Sequence, residues 1–231
     1  PSMVIIGEPT EMEIIEAHKG DCEYSTSFYG IEGHASKPER GLSAIQYGSL
    51  FTNKIFELGN ELKERAPSDS PFDPPWTTIQ VGKIEGGVAH NVIAGNCSID
   101  WEMRPVNNED KNFVKKHLSN YCENNLLPEM QSKFSKAKIE TDIIGEIPGL
   151  IPKKNNEARV IMQELLQSNS TGVISFGTEA GIFQEMDMDV IVCGPGSIDQ
   201  AHKANEFISL SELQKCLENL LNLMDQWSKK S

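Results

Sequence analysis

Two side chains in this sequence suit a metal ion. Glu8 stands in Gly7-Glu8-Pro9-Thr10, directly after the apolar run Val4-Ile5-Ile6. His202 closes the glycine-rich stretch Gly194-Pro195-Gly196-Ser197-Ile198-Asp199-Gln200-Ala201-His202, which follows Val190-Ile191-Val192-Cys193. Both apolar runs read as strands buried in a parallel sheet, and open α/β sheets gather ligands at the carboxyl ends of their strands. Taken singly, Glu8 reads equally well as a turn residue before Pro9, and a loop histidine is more often a surface side chain. The reading rests on the two as a pair from matching strand ends.

Other candidates lie between and beside them. His34, in Gly30-Ile31-Glu32-Gly33-His34-Ala35-Ser36, is flanked by glycines that leave its ring free to project; the plain alternative is a turn histidine near a helix start. Asn91 suits a hairpin that tolerates left-handed backbone. Arg104 ends a polar strand face before Pro105, either as a solvated charge or as a bidentate carboxylate binder. Gly177, Thr178 and Glu179 sit where a strand gives way to a helix, a place for an anion or for an ordinary threonine cap. His18, His90 and His117 have no spacing that favours ligation, and no role is assigned to them. The sequence holds no GxSxG elbow, P-loop, GxGxxG or HExxH.

Composition narrows the class. With 231 residues and a formal net charge of -13, the chain lacks the basic face that nucleic acid or an anionic leaflet demands. Its five cysteines form no CxxC pair, as expected of reduced thiols in the cytoplasm. No apolar run approaches the roughly 20 residues needed to cross a bilayer. The opening Pro-Ser-Met-Val-Ile-Ile-Gly has no basic n-region and enters strand-like sequence at once, so a natural start is not expected there.

The elements that must position these residues fall into two styles. Val4–Ile6, Val173-Ile174 and Val190–Cys193 read as strands buried on both faces, with helices over 155–167, where Ala158, Ile161, Met162, Leu165 and Leu166 share a face, and over 210–227 behind a Ser209/Glu212 capping box. The middle differs. A strand over 21–29 precedes a long helix over 41–66 with a stripe of Leu42, Ile45, Phe51, Ile55, Leu58 and Leu62. The turn-rich loop 67–75 stops it. Thr77, Ile79 and Val81 alternate, as do Cys97, Ile99, Trp101 and Met103; a helix over 109–123 and a strand over 138–144 follow. This β-α-β-β-α-β order is the split βαβ, ferredoxin-like sandwich. The predicted fold is therefore α/β: residues 1–19 and 146–231 form one partial domain with a parallel-rich sheet, interrupted by an α+β module over 20–145.

Several segments together resemble the M20 family of metal-dependent aminoacylases and peptidases. They are Val4–Thr10, Ala17-His18-Lys19-Gly20, Gly33–Ser36, Arg40-Gly41, Ala44-Ile45, Leu62–Arg65, Thr178-Glu179-Ala180, Gly194–Ile198 and Gln200-Ala201-His202, spread over nearly the whole chain. The resemblance implies that Glu8 and His202 are zinc ligands, for one ion or two, with cobalt able to substitute. It implies that His34 belongs to a dimerisation, or lid, domain and stabilises an oxyanion in the partner copy of a homodimer. Asn91 and Arg104 would hold the substrate, Arg104 by its carboxylate; Gly177 and Thr178 would line the substrate wall, and Lys19 would add charge. The activity implied is hydrolysis of the amide of a small N-acyl amino acid. The family's His-x-Asp ligand pair and its Glu-Glu pair, whose first member is the general base, do not occur in this sequence. The chain is accordingly expected to be part of such an enzyme, inactive alone or acting only as a dimerisation module.

Overall fold

A computed structural model describes residues 1–228. In chain order the elements are β1 (Met3–Ile6), β2 (Ile15–His18), β3 (Asp21–Tyr29), β4 (Gly33–His34), α1 (Ala44–Glu64), β5 (Thr78–Gly86), β6 (Val92–Ile93), β7 (Asn96–Arg104), α2 (Asn108–Tyr121), α3 (Leu127–Lys133), β8 (Lys138–Ile147), α4 (Glu157–Leu166), β9 (Gly172–Ile174), α5 (Ala180–Glu185), β10 (Asp189–Val192) and α6 (Leu210–Ser228). They form two compact units. Asp21–Glu146 is one; the stretches up to Gly20 and from Ile147 make the other.

The inserted unit carries a four-stranded sheet in the order β5-β7-β3-β8, with α1 and α2 in the two crossovers and a separate pair, β4-β6. This is the ferredoxin-like β-α-β-β-α-β arrangement. Its central strand β7 alternates as its sequence dictates: Cys97, Ile99, Trp101 and Met103 are buried and the residues between them are not. Those four meet Tyr47, Phe51, Ile55, Leu58 and Leu62 of α1 in a single core. Ile45, expected on that stripe, is instead 40% exposed. Gly48 takes part of the space, since a Cβ there would come within 2.8 Å of the Cys97 sulfur, so the helix approaches the sheet closely through its first turns.

The helix expected to end near Glu123 runs on. A π-turn over Cys122–Leu126 links α2 to α3, whose second residue is Pro128. The extension buries Leu126 and Met130 in the same core. At the other end of α2, the buried carboxylate of Asp110 accepts hydrogen bonds from Arg65 Nε (3.1 Å) and Thr77 Oγ1 (2.6 Å). One side chain thereby ties together the ends of α1 and α2 and the start of β5.

In the flanking unit the sheet order is β1-β10-β2-β9. β1 runs parallel to β10, Ile6 opposite Val192, and β2 pairs antiparallel to β10. Burial on both faces holds for β10: Val190 and Val192 pack with Ile6, Ile15 and Ala180, while Ile191 packs with Met12, Ile14, Ala158 and Met162. It does not hold for β1 or β9. Among the described residues each has one neighbour, so Met3 to Ile5 are half-buried and Val173 is 39% exposed. β2 was not anticipated, because Ile15-Glu16-Ala17-His18 alternates apolar and polar over four residues only, too short a pattern to stand out, and forms no apolar run. No helix among the described residues is long and apolar enough to cross a membrane, and all five cysteines are free thiols.

Candidate functional site

Because β1 and β10 are parallel and in register, the loops after Ile6 and Val192 leave the same end of the sheet. The Cys193 N–H donates to the Ile6 carbonyl (2.8 Å), and an antiparallel bridge joins Thr10 to Ser197. Glu8 and His202 therefore ride on two loops stitched side by side. Glu8 is half-buried, and its carboxyl is held above the usual range first by that burial and then by the charge of Glu179. His202 is exposed, with left-handed backbone (φ 59°), and its N–H donates to Glu206 Oε2 (3.2 Å). Among the described residues no hydrogen bond or ion pair joins Glu8 to His202. The expected capping box is half formed: Ser209 Oγ accepts from the Glu212 N–H (3.1 Å), but the Glu212 carboxylate turns to the Gly196 N–H (3.3 Å) and anchors the His202 loop instead. Burial pushes the Cys193 thiol up to about 11.

Sequence reasoning passed over His18, and the structure places it at the centre of a hydrogen-bonded group. It is 1% exposed. Its Nδ1 lies 2.8 Å from the Lys19 carbonyl and must donate, so Nε2 accepts from the Thr178 hydroxyl at 3.0 Å. Thr178 Oγ1 in turn accepts from the Ala180 N–H (3.1 Å), which fixes the turn carrying Gly177, Thr178 and Glu179 into α5. Lys19, expected to add charge, is itself buried beside this group. The only signal for His18 was its place in the short segment 17–20, since a buried imidazole pairing across 160 residues leaves no local pattern.

Burial lowers the pKa of His18 below its usual 6.5, against the opposing pull of the Lys19 carbonyl and Glu179. The unfolded chain therefore binds this proton first, and the stability contributed by neutral His18 is lost as pH falls from about 6.5 toward the folded-state value. Glu8 has the opposite sign. Its carboxyl takes a proton in the folded state before it does so unfolded, which offsets part of the loss at lower pH. Denaturation midpoints for the flanking unit should drop between about pH 7.5 and about pH 5.5, and His18→Gln should flatten that drop. An unchanged slope in the variant would remove His18 as its source.

In the inserted unit, β4 and β6 bring His34 opposite Val92, and the Ala35 N–H donates to the Asn91 carbonyl (3.0 Å). His34 and Asn91 thus lie exposed on one small strand pair, brought together from distant parts of the sequence. The Ser36 N–H donates to His34 Nδ1 (3.2 Å), so in the neutral ring the proton sits on Nε2. Arg104 is elsewhere. It ends β7, eight residues from Asn96, or about 26 Å along an extended strand. Its guanidinium is engaged by Asp21 (2.6 Å) and Glu102 (2.8 Å). The His34 strand pair and Arg104 therefore stand toward opposite ends of the inserted sheet. Asp21, Glu23 and Glu102 do converge as three carboxylates, but Arg104 already supplies their positive charge.

Residues 16–130 match the family model described as the peptidase dimerisation domain. The chain is 32% identical over 212 residues to an acetylornithine deacetylase of Myxococcus xanthus, covering 92% of this chain and 54% of that protein. It is 30% identical over 224 residues to one of Shigella sonnei, covering 97% and 56%. It thus spans about half the length of the curated relatives it matches. Among solved structures, a tripeptidase from Staphylococcus aureus aligns with a TM-score of 0.70 at 21% identity over 95% of this chain and 55% of that one. The aminopeptidase PepT of Bacillus cereus aligns with a TM-score of 0.70 at 20% identity over the same shares. At these identities the two structures speak for the fold.

Proposed function

Since the chain belongs to the M20 family, whose peptidase dimerisation domain it carries over residues 16–130, we propose that it is part of a zinc-dependent hydrolase that cleaves N2-acetyl-L-ornithine to ornithine and acetate. The observation that carries this reading is the delivery of Glu8 and His202 by adjacent loops from the same end of parallel strands. A carboxylate oxygen and an imidazole nitrogen are a donor set that zinc or cobalt accepts. Bound there, the ion would polarise the amide carbonyl and lower the pKa of a water toward about 7.

The remaining roles are those the family resemblance implies for these side chains. His34 presents Nε2–H outward and would donate it to the oxyanion in a partner copy, because in its own copy Arg104 lies at the far end of the sheet. Asn91, beside it, would orient the acyl amide. Arg104 would hold the substrate carboxylate in competition with Asp21 and Glu102. Thr178, fixed by His18, and Gly177 would form the substrate wall. The N-acetylornithine assignment draws on relatives about 30% identical; succinyl-diaminopimelate or a broader set of N-acyl amino acids and dipeptides are the rivals. The free buried thiols favour a reducing, cytoplasmic setting.

A second reading draws on the family match falling on the inserted unit: the chain acts in self-association alone through that unit. Titration with cobalt, read by its visible absorption, separates the two. The hydrolase reading expects binding that weakens at least about tenfold in both Glu8→Gln and His202→Ala, together with a dimer in sedimentation. Binding indifferent to both substitutions would defeat the metal site, and a monomer would defeat the shared one. Faster cleavage of succinyl-diaminopimelate than of N-acetylornithine by the native enzyme would overturn the substrate.

A further inference from the structure

We propose that Thr10 is the positioning residue that sets the spacing between the Glu8 and His202 loops, a role that rests on the metal-site reading above for its functional meaning. Its evidence is independent of any metal. The side chain of Thr10 is nearly buried, and its Oγ1 serves both loops: it donates to the Glu13 carbonyl (2.8 Å) and accepts from the Gly194 N–H (3.1 Å). The Thr10 N–H returns a bond to the Gly194 carbonyl (3.2 Å). One residue of the Glu8 loop therefore satisfies both backbone groups of the first residue in the His202 loop.

The two residues that follow show what this clamp sustains. Glu11 (φ 55°) and Met12 (φ 62°) are consecutive left-handed residues, and neither is glycine. L side chains avoid that region, and it persists only where surrounding contacts over-determine it. Here they do. The Glu11 N–H donates to the Gly196 carbonyl (2.7 Å), the Met12 N–H donates to the Gly194 carbonyl (2.9 Å), and the Met12 side chain is locked among Ile14, Ala158, Met162, Ile191 and Cys193. Gly196 is itself left-handed (φ 91°) and is held from the other side by Glu212. The strained turn leans on the carbonyls of Gly194 and Gly196, and Thr10 fixes the first of them. The hydroxyl of Thr10 thus sets how the chain leaves both strands.

Valine matches threonine in shape and deletes both hydroxyl bonds; serine keeps the hydroxyl. In the full chain, Thr10→Val is expected to speed amide hydrogen exchange at Glu11, Met12 and Gly194 about tenfold, with Ile5 and Val192 in the paired strands unchanged. Thr10→Ser should restore slow exchange. Cobalt affinity should fall about tenfold or more in Thr10→Val, as for lost outer-shell support, and recover in Thr10→Ser. Loop exchange unchanged in Thr10→Val would overturn the clamp, as would acceleration spread equally over Ile5 and Val192. If wild-type protein binds no cobalt, the metal reading falls and exchange alone decides the clamp. If it binds cobalt through Glu8 and His202 and Thr10→Val binds as tightly, the metal reading stands and the positioning role fails.

Discussion

Gly194→Ala is expected to destabilise the flanking unit by about 3 kcal/mol and to abolish cobalt binding, while Gly7→Ala, in the facing loop, leaves both within about 0.5 kcal/mol of wild type. A Cβ on Gly194 would lie 2.5 Å from the Glu8 carbonyl oxygen and 2.6 Å from the Gly7 carbonyl carbon. These are backbone atoms, with no flexible side chain to swing aside. A Cβ on Gly7 meets nothing within 4 Å. Relief at Gly194 must come from parting the two loops, which breaks the bonds from Thr10 and Met12 to the Gly194 carbonyl and carries Glu8 away from the His202 loop. Urea unfolding followed by exchange at Val190 to Val192, with a parallel cobalt titration, measures both effects. Equal tolerance at the two glycines would show that the loops are not pressed together as described.

What could be read beforehand follows the range of the interaction. β7 was legible residue by residue because alternation is a local signal: each of Cys97, Ile99, Trp101 and Met103 faces the core wherever the strand goes. The Glu8 and His202 loops were legible as strand exits for a similar reason, since an apolar run followed by glycine marks the end of a strand on its own. β1 and β9 misled because the same apolar run serves an edge or a centre, and only the count of neighbours decides burial. His18 and Asp110 were hidden for a different cause. Their meaning lies in one hydrogen bond to a distant residue, and a sequence carries no trace of which polar group will be enclosed. Arg104 shows the middle case: its strand and face were correct, but its two acidic partners, Glu102 two residues back and Asp21 across the sheet, changed what it has left to offer a substrate.

The other large effect belongs to the inserted unit, where Trp101→Ala should cost about 3 to 4 kcal/mol and Trp101→Phe about 1 to 2. The indole stacks on Tyr24 at 4.3 Å between ring centroids and meets Phe51 edge-on at 6.3 Å. Its Nε1–H donates to Thr26 Oγ1 (3.0 Å), which pairs with Thr141 of β8 (3.0 Å). Phenylalanine keeps most of the packing and loses the donor; alanine loses both. A cavity of about 340 Å³ beside it, lined in part by Tyr24, Phe51, Leu118, Ile139 and Thr141, opens to solvent. Water can enter the space an alanine leaves, which places the cost toward the lower end of the range for a large aromatic in a closed core. The consequence reaches the rest of the inserted unit. β7 runs between β3 and β5 from the end of the sheet that bears Arg104 to the end where Tyr29 pairs Asn96, next to the β4-β6 pair that holds His34. Loosening its midpoint should therefore weaken self-association more than cobalt binding, because Glu8 and His202 sit in the other unit. Sedimentation and cobalt titration of Trp101→Ala test that separation, and a parallel loss of both would mean that the two units do not unfold independently.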